Sequence, residues 1–352
     1  MQDNRVTVGI IGAGTVAREN QIPAFLKCND AKVLAVFDRH LDRARALADA
    51  YGIPKAYSDI NGLLGDGEID AVSVCTGNIS HEELVLAAAN AGKHILCEKP
   101  MAISVRQAEN MADAARENKV TFMMAFVNRF RQESILLHES QERGDFGEIY
   151  HARCGWIRRR GTPRGWFTDK AKSGGGAVLD IGVHVIDLTW YLMGRPRPIA
   201  VSGVTHTHLG AYDTKSVKGW AASGVKGGVF DNEEAATALI RFENGASMSV
   251  DISWAINGRE EKMFSKIYGT KGGASFNPLE LYGEKDGYLT DTAPILVPEI
   301  GWQPAFERET DHFISCVKSG NVPISPADDG LTVQRMLNGI YDSAEQGREV
   351  FL

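Results

Sequence analysis

Arg5-Val-Thr-Val-Gly-Ile-Ile11, a short and nearly continuous apolar run, ends directly on Gly12-Ala13-Gly14-Thr15-Val16-Ala17. A run without alternation is the mark of a strand buried on both faces of a parallel sheet. A helical stretch follows to about Cys28, so the order is strand, turn, helix. In that context Gly-x-Gly-x-x-Ala has a mechanical meaning. Gly12 permits the tight turn and Gly14 lets a pyrophosphate approach the backbone. Ala17 lets helix and strand pack closely, and the helix N-terminus faces the phosphate charge. The chain is thereby committed to a βαβ unit and a parallel sheet.

The pattern continues. Lys32-Val-Leu-Ala-Val-Phe-Asp38 is a second strand, Lys55-Ala-Tyr57 a short third, and Asp70-Ala-Val-Ser-Val-Cys75 a fourth. His94-Ile-Leu-Cys-Glu98 and Thr121-Phe-Met-Met-Ala-Phe126 complete the set, with helices predicted over 41–51 and 105–118 and another opening at Ser80-His81-Glu82. Strands alternating with helices give a doubly wound α/β sheet, whose ligands bind at the carboxyl ends of the strands. By that rule Gly12, Asp38, Thr76, Glu98-Lys99-Pro100 and Asn128 gather at one edge. Asp38 accepts hydrogen bonds from an adenosine ribose and repels a 2′-phosphate, which favours NAD over NADP. Arg39 works the other way, since a guanidinium stacks on adenine or holds that phosphate. The candidate cofactor contacts are therefore Gly12, Gly14, Thr15, Val16, Asp38, Arg39, Thr76, Gly77, Asn78, His81, Glu98, Lys99 and Asn128. Lys99 is also a candidate acid–base group, able to donate to a substrate hydroxyl or take its proton.

The second centre of chemistry is Gly174-Gly-Gly-Ala-Val-Leu-Asp-Ile-Gly-Val-His-Val-Ile-Asp187. Apolar periodicity predicts a buried helix over 177–192. Asp180, His184 and Asp187 stand at i, i+4 and i+7 and so share one face. Three ionisable groups on an otherwise apolar helix are costly to bury, so that face is expected to open onto a polar cavity.

Length and charge narrow the alternatives. A chain of 352 residues suggests two domains, and a net charge of -7 argues against a general nucleic-acid partner. No apolar run approaches the ~20 residues that span a bilayer, and the start lacks the pattern of a signal peptide. The five cysteines form no Cys-x-x-Cys pair. Cys75 and Cys97, in apolar strand-like runs, fit buried thiols in a reducing cytoplasm, and the set gives no zinc site; no metal is expected. His206 and His208 alternate onto one strand face without an acid or cysteine to complete a ligand set.

In order and in register, Gly12-x-Gly-x-x-Ala17, Glu98-Lys-Pro100, Asn128-Arg-Phe130 and Asp180-x-Gly-x-His184 resemble the glucose-fructose oxidoreductase / inositol dehydrogenase (Gfo/Idh/MocA) family of NAD(P)-dependent oxidoreductases. The resemblance covers nearly the whole chain, including the tail Ile324-Ser-Pro-Ala-Asp-Asp-Gly-Leu-Thr332. It implies an N-terminal Rossmann domain, placed at 1–127, and an α+β domain with an open, mainly antiparallel sheet at 128–352. It also implies a sugar or cyclic-polyol substrate between the domains, with Lys99, Asp180 and His184 as the catalytic set. Thr76-Gly77, where many members have Thr-Pro, departs from the pattern without removing a chemical group.

The second half agrees with an antiparallel sheet. Gly147–Ile157 alternates as a half-buried strand, and 236–242 with 246–254, then 262–268 with 274–277, read as consecutive hairpins. Its outer face would suit a homo-oligomer, dimer or tetramer. Arg158-Arg-Arg160 and Arg164 precede Trp166 in a basic, aromatic loop. If the arginines extend the preceding strand, Arg158 and Arg160 share a face. One of them would hydrogen-bond a sugar while Trp166 stacks on its ring; a solvated basic edge is the rival reading. The candidate substrate contacts are Lys99, Arg129, Arg158, Trp166, Asp180 and His184.

The function expected is hydride transfer between a sugar-ring carbinol and a nicotinamide, with NAD, or NADP, as cofactor. His184 is the preferred base because imidazole titrates near neutral pH, and the reverse assignment with Lys99 as base is chemically allowed. Two other classes stay open: a glycosidase that oxidises and re-reduces the ring with NAD, acting on glycosides, and a sensor that binds sugar and NAD without turnover.

Overall fold

The structure, a computed structural model, describes residues 4–163, 165–210, 212, 214 and 229–352. Arg164 lies outside the described residues. The chain divides into two compact units, one running to Phe130 with Glu299–Leu331 added, the other made of Arg131–Pro298 and Thr332–Leu352.

The first unit is a six-stranded parallel sheet formed by β1 (Val6–Ile11), β2 (Ala31–Phe37), β3 (Lys55–Tyr57), β4 (Ala71–Val74), β5 (His94–Cys97) and β6 (Phe122–Met124). Their order, β3-β2-β1-β4-β5-β6, reverses between β1 and β4, as in a doubly wound dinucleotide fold. Register shows why the functional residues converge. Phe37 pairs with Ile11, Ile11 with Val74, Val74 with Cys97 and Cys97 with Met124. One row of the sheet is therefore the last residue of five strands, and Gly12, Asp38, Cys75, Glu98 and Ala125 all step off the same edge.

Helices α1 (Ile22–Lys27), α2 (Leu41–Tyr51), α3 (Ile60–Leu64), α4 (His81–Asn90) and α5 (Val105–Glu117) connect the strands. The turn before α1 is wound as a π-helix over Ala17–Gln21. Pro23 explains it: a proline has no N–H and its ring meets the carbonyl four residues back, and a wider turn relieves both. The core gathers Val8, Ile10, Phe25 and Val36 around Phe306, Phe313 and Ile314, which arrive from the far end of the chain.

Among the described residues, the second unit carries a nine-stranded mixed sheet. Its strands are β7 (Ile149–Ile157), β8 (Pro198–His206), β9 (Ala235–Phe242), β10 (Ser247–Ser253), β11 (Lys262–Gly269), β12 (Gly273–Ser275), β13 (Glu280–Lys285), β14 (Tyr288–Thr292) and β15 (Val350–Phe351), in the order β14-β13-β12-β11-β7-β10-β9-β8-β15. All pairings are antiparallel except β7 with β10. Helix α6 (Gln132–Glu142) and the short α7 (Lys170–Ser173) precede α8 (Val183–Leu192), which lies against β7 and β11. A π-helical turn, Val178–Gly182, leads into α8. Two late helices, α9 (Gln303–Ser319) and α10 (Ala327–Gln346), close the chain before β15.

Candidate active site

The cofactor edge of the first unit is built around Gly12. Its φ is +104°, and a Cβ there would stand 2.9 Å from the Cys75 carbonyl oxygen and 3.0 Å from Thr76 Cγ2, so only glycine fits. The turn is tied to β2 by Asp38, which is 7% exposed. Ala13 N–H donates to Asp38 Oδ2 (3.1 Å) and His40 N–H to Oδ1 (3.0 Å). Arg43 Nη2 lies 3.7 Å from that same Oδ2 and donates to the Ala13 carbonyl (3.3 Å). Thr15, Val16 and Arg39 are exposed beside this turn.

Two side chains further along the edge hold buried polar atoms without an internal partner. Thr76 Oγ1 makes no hydrogen bond among the described residues, and neither does Oδ1 or Nδ2 of Asn128, which is 1% exposed. Buried polar groups are ordinarily satisfied, so these atoms fit a bound ligand rather than a closed interior. With the glycine turn and Asp38, they fit a dinucleotide. His81 plays a different part. Its ring is buried, with Nδ1 2.9 Å from the Pro100 carbonyl oxygen and Nε2 3.2 Å from that of Thr76. Burial pushes its pKa down. The ring thus sits between the end of β4 and the Glu98-Lys99-Pro100 loop, within reach of a carbonyl on each side.

Beneath Lys99 lies an acid pair that sequence reading missed. Gln21 Nε2 donates to Glu98 Oε1 (3.0 Å) and stands 3.4 Å from Glu309 Oε2. Burial pushes both carboxyls up, Glu309 well above its ordinary range, with the neighbouring Glu98 charge as the second cause. Arg129 is a correction to the expected substrate contacts. It is 0% exposed, and its Nη1 donates to Asp329 Oδ2 and to the Ile324 carbonyl, each at 2.6 Å. An arginine so enclosed is an internal tie, and an uncompensated guanidinium could not stay there.

The second unit carries the other candidate group. From Ala177 to Leu192 every residue is buried except Asp180 and His184, so the predicted polar face exists but is narrower than expected. Asp187, assigned to that face by i+7 spacing, is 1% exposed. Asp187 lies three residues beyond His184 in a stretch, 185–193, that is buried on every side. Trp254 Nε1 donates to Asp180 Oδ2 (2.9 Å). The Trp156 ring meets His184 with centroids 5.6 Å apart, and the Arg158 guanidinium lies over Trp156 at 4.6 Å. Burial lowers the Arg158 pKa and the Asp180 charge opposes that shift. A carboxylate, an imidazole, a guanidinium and an indole thus form one cluster.

The rest of the basic loop is engaged elsewhere. Arg160 donates to the Ile256 carbonyl (3.0 Å) and to Asn257 Oδ1 (2.5 Å) and lies over the Tyr212 ring, while Arg159 is exposed. Arg158 follows β7 rather than extending it. Trp166 stacks on Phe167 at 4.0 Å within a 3₁₀ turn, Gly165–Thr168. Trp156 and Trp254, not singled out in the sequence, are the indoles that stand against His184 and Asp180. Their only signal was a tryptophan inside or just beyond an alternating strand segment.

A parallel sheet whose strand order reverses, a glycine turn closed by an acid, and unpartnered polar atoms at the strand ends mark a dinucleotide-binding protein. Residues 6–126 match the family model for the oxidoreductase family NAD-binding Rossmann fold, and residues 136–275 match the GFO/IDH/MocA C-terminal domain. The chain belongs to the Gfo/Idh/MocA family. It is similar to D-glucoside 3-dehydrogenase of Escherichia coli (strain K12), 33% identical over 356 residues and covering 100% of this chain and 99% of that protein. Myo-inositol 2-dehydrogenase of Thermotoga maritima is 28% identical, with 98% of each chain covered. Among solved structures, levoglucosan dehydrogenase in complex with NADH and levoglucosan matches with a TM-score of 0.87 at 25% identity, over 99% of both chains.

Proposed function

We propose that this chain oxidises a secondary carbinol of a pyranose ring, in a glucoside or closely related sugar, with NAD as hydride acceptor. The full-length similarity to D-glucoside 3-dehydrogenase makes the C3 carbinol the first candidate. The observation that carries the reading is the pairing of Asp180 and His184 as the uncovered groups of a buried helix, with Arg158 and Trp156 in the same cluster.

When bound, NAD supplies the hydride acceptor at C4 of its nicotinamide. His184 takes the hydroxyl proton as the carbinol is oxidised. Asp180, fixed by Trp254, accepts from an adjacent hydroxyl and favours positive charge on the imidazole one turn away. Lys99 donates to the reacting oxygen and steadies its developing charge. Arg158 binds a vicinal hydroxyl pair, and Trp156 offers an apolar face to the ring. Gly12, Gly14, Asp38, Thr76 and Asn128 hold the dinucleotide.

Location and assembly are part of the same proposal: a cytoplasmic homo-oligomer. Five free, buried thiols support a reducing compartment. No described helix is long and apolar enough to cross a membrane. The exposed Tyr288 and Leu289 of the edge strand β14 support association.

The test is a panel of glucosides, free sugars and polyols with NAD and with NADP, followed by reduced-nicotinamide absorbance and by product analysis. Net reduced cofactor in step with a keto-glycoside is expected. Cleaved glycoside without such accumulation would replace this reading with redox-assisted hydrolysis, and cofactor binding without any turnover would replace it with a sensor.

A further inference from the structure

The three glycines at 174–176 open the helix that carries Asp180 and His184, and the structure shows what dictates two of them. A Cβ on Gly175 would fall 2.2 Å from the Tyr341 hydroxyl, and one on Gly176 would fall 2.2 Å from the Glu233 carbonyl oxygen. Glu233 and Tyr341 therefore press against the start of this helix. Glu233 Oε1 accepts from Val178 N–H (3.0 Å), Gly176 N–H (3.0 Å) and the Tyr341 hydroxyl (2.8 Å), while Oε2 shares the Gly176 N–H (3.0 Å). The Glu233 carbonyl also accepts from Ala177 N–H (3.2 Å). Three successive backbone donors, which no helix can satisfy internally, thus end on one residue. The next link is direct: Asp180 N–H donates to the Gly176 carbonyl (3.0 Å).

Each of these hydrogen bonds is donated to the Glu233 carboxyl, the arrangement an ionised carboxylate wants at the positive end of a helix. Burial pushes its pKa up and the surrounding donors pull it back. Burial, with the Glu233 charge as second cause, pushes the Tyr341 phenol well up, so the phenol keeps the proton it donates. Asn232, one residue earlier, ties the same entry to the preceding turn, donating to the Phe167 carbonyl and to Ser173 Oγ, each at 2.8 Å.

We propose that Glu233 and Tyr341 are positioning residues for the reaction, gripping the first turn of the helix so that Asp180 and His184 are held at a fixed height and rotation. The proposal rests on the reading of Asp180 and His184 as the substrate-side groups. A π-helical turn stands between the grip and α8, so this segment lacks the regular α-helical ladder that would otherwise set its phase. The external clamp supplies that setting.

The test uses the full-length protein with E233Q and Y341F, each nearly isosteric with the original. Hydrogen exchange of a peptide spanning 176–184 reports the grip, and kcat, sugar KM and NADH affinity report its use. Both variants should exchange these amides faster than wild type. At a temperature well below unfolding, kcat should fall about tenfold or more, the scale on which small misplacements of reacting groups act, with NADH affinity unchanged. A purely structural role would lower the unfolding temperature and leave kcat of the folded protein intact. That result, or unchanged exchange in both variants, overturns the proposal. If E233Q does not fold, Y341F decides alone by the same two measurements. A wild-type protein that binds NADH but turns over no sugar overturns the functional reading itself, and the positioning role with it.

Discussion

Cofactor choice should turn on Asp38. An adenosine ribose hydroxyl donating to this carboxylate makes a hydrogen bond to a charged group, worth about 1.5–3 kcal/mol, or roughly 10- to 150-fold in affinity. A 2′-phosphate in the same place brings about 1.5–2 negative charges to within ~4 Å of Asp38, costing roughly 1.5–2 kcal/mol even at the dielectric of water. Arg43 stands 3.7 Å from Asp38 Oδ2 and would return part of that cost by attracting the phosphate. Asp38→Ala also strips the acceptor from Ala13 N–H and His40 N–H, which weakens the turn for both cofactors alike. The ratio is therefore the readout, not either affinity alone. Titration of protein fluorescence with NADH and NADPH should show NADH bound more tightly by wild type. The ratio should fall by about tenfold or more in Asp38→Ala, the scale of the lost charged hydrogen bond alone. In Arg43→Ala it should rise. Tighter NADPH binding by the unmodified protein, or an unchanged ratio in Asp38→Ala, would refute the argument and shift the choice to Arg39 and Arg43.

Lys99→Met and His184→Ala should each lower turnover by at least ~10²-fold, the scale of a lost proton-transfer group, and near-normal rates in both would remove them from the mechanism. NADH affinity in His184→Ala, measured by the same titration, should be unchanged. Arg158→Ala should raise the sugar KM more than it lowers kcat, whereas Arg160→Ala should leave both near wild type, because its guanidinium is taken up by Ile256 and Asn257. Equal effects from the two variants would mean that the loop acts as a diffuse charge. Glu309 gives a stability prediction with a definite sign. Its carboxyl is raised well above the ordinary 4.5 by burial and by the Glu98 charge, so the folded protein binds this proton more tightly than the unfolded chain. Stability from this group is complete below the ordinary value and is lost as pH rises through the raised one. Glu309→Gln should then gain on wild type in thermal unfolding between pH 4 and pH 8, and a difference that does not change with pH would contradict the assignment.

The parallel sheet was legible because each of its signals is local. An unbroken apolar run, a glycine turn and a terminal acid lie within a few dozen residues, and register then carries five strand ends to one edge. The Asp180–His184 face was legible for the same reason. What escaped was long-range or geometric. Arg129 looked like a site residue in Asn128-Arg-Phe130, but its partner Asp329 lies 200 positions later. Trp254 reaches Asp180 across 74 positions, and Glu233 and Tyr341 meet the glycines from separate segments. Asp187 was misplaced because spacing gives the face of a helix but not how far along it the surroundings stay open, and 185–193 are buried all round.

The late arrival of α9 has a consequence for how this chain is made. Phe306, Phe313 and Ile314 belong to the same apolar core as Val8, Ile10 and Phe25, yet about 170 residues separate Phe130 from Glu299 in the sequence. During synthesis the parallel sheet must therefore wait, with part of its core open, until Gln303–Ser319 has left the ribosome. At about 5–20 residues per second that interval is on the order of ten seconds or more, long on the scale of domain folding. The second unit waits as well, since Thr332–Leu352 belong to it, and a chain stopped before residue 303 would expose the apolar surface that α9 covers. Termination before α9, or slow emergence of that helix, should then send this protein to chaperones and proteases through its cofactor domain, although the missing piece lies about 170 residues downstream of the sheet.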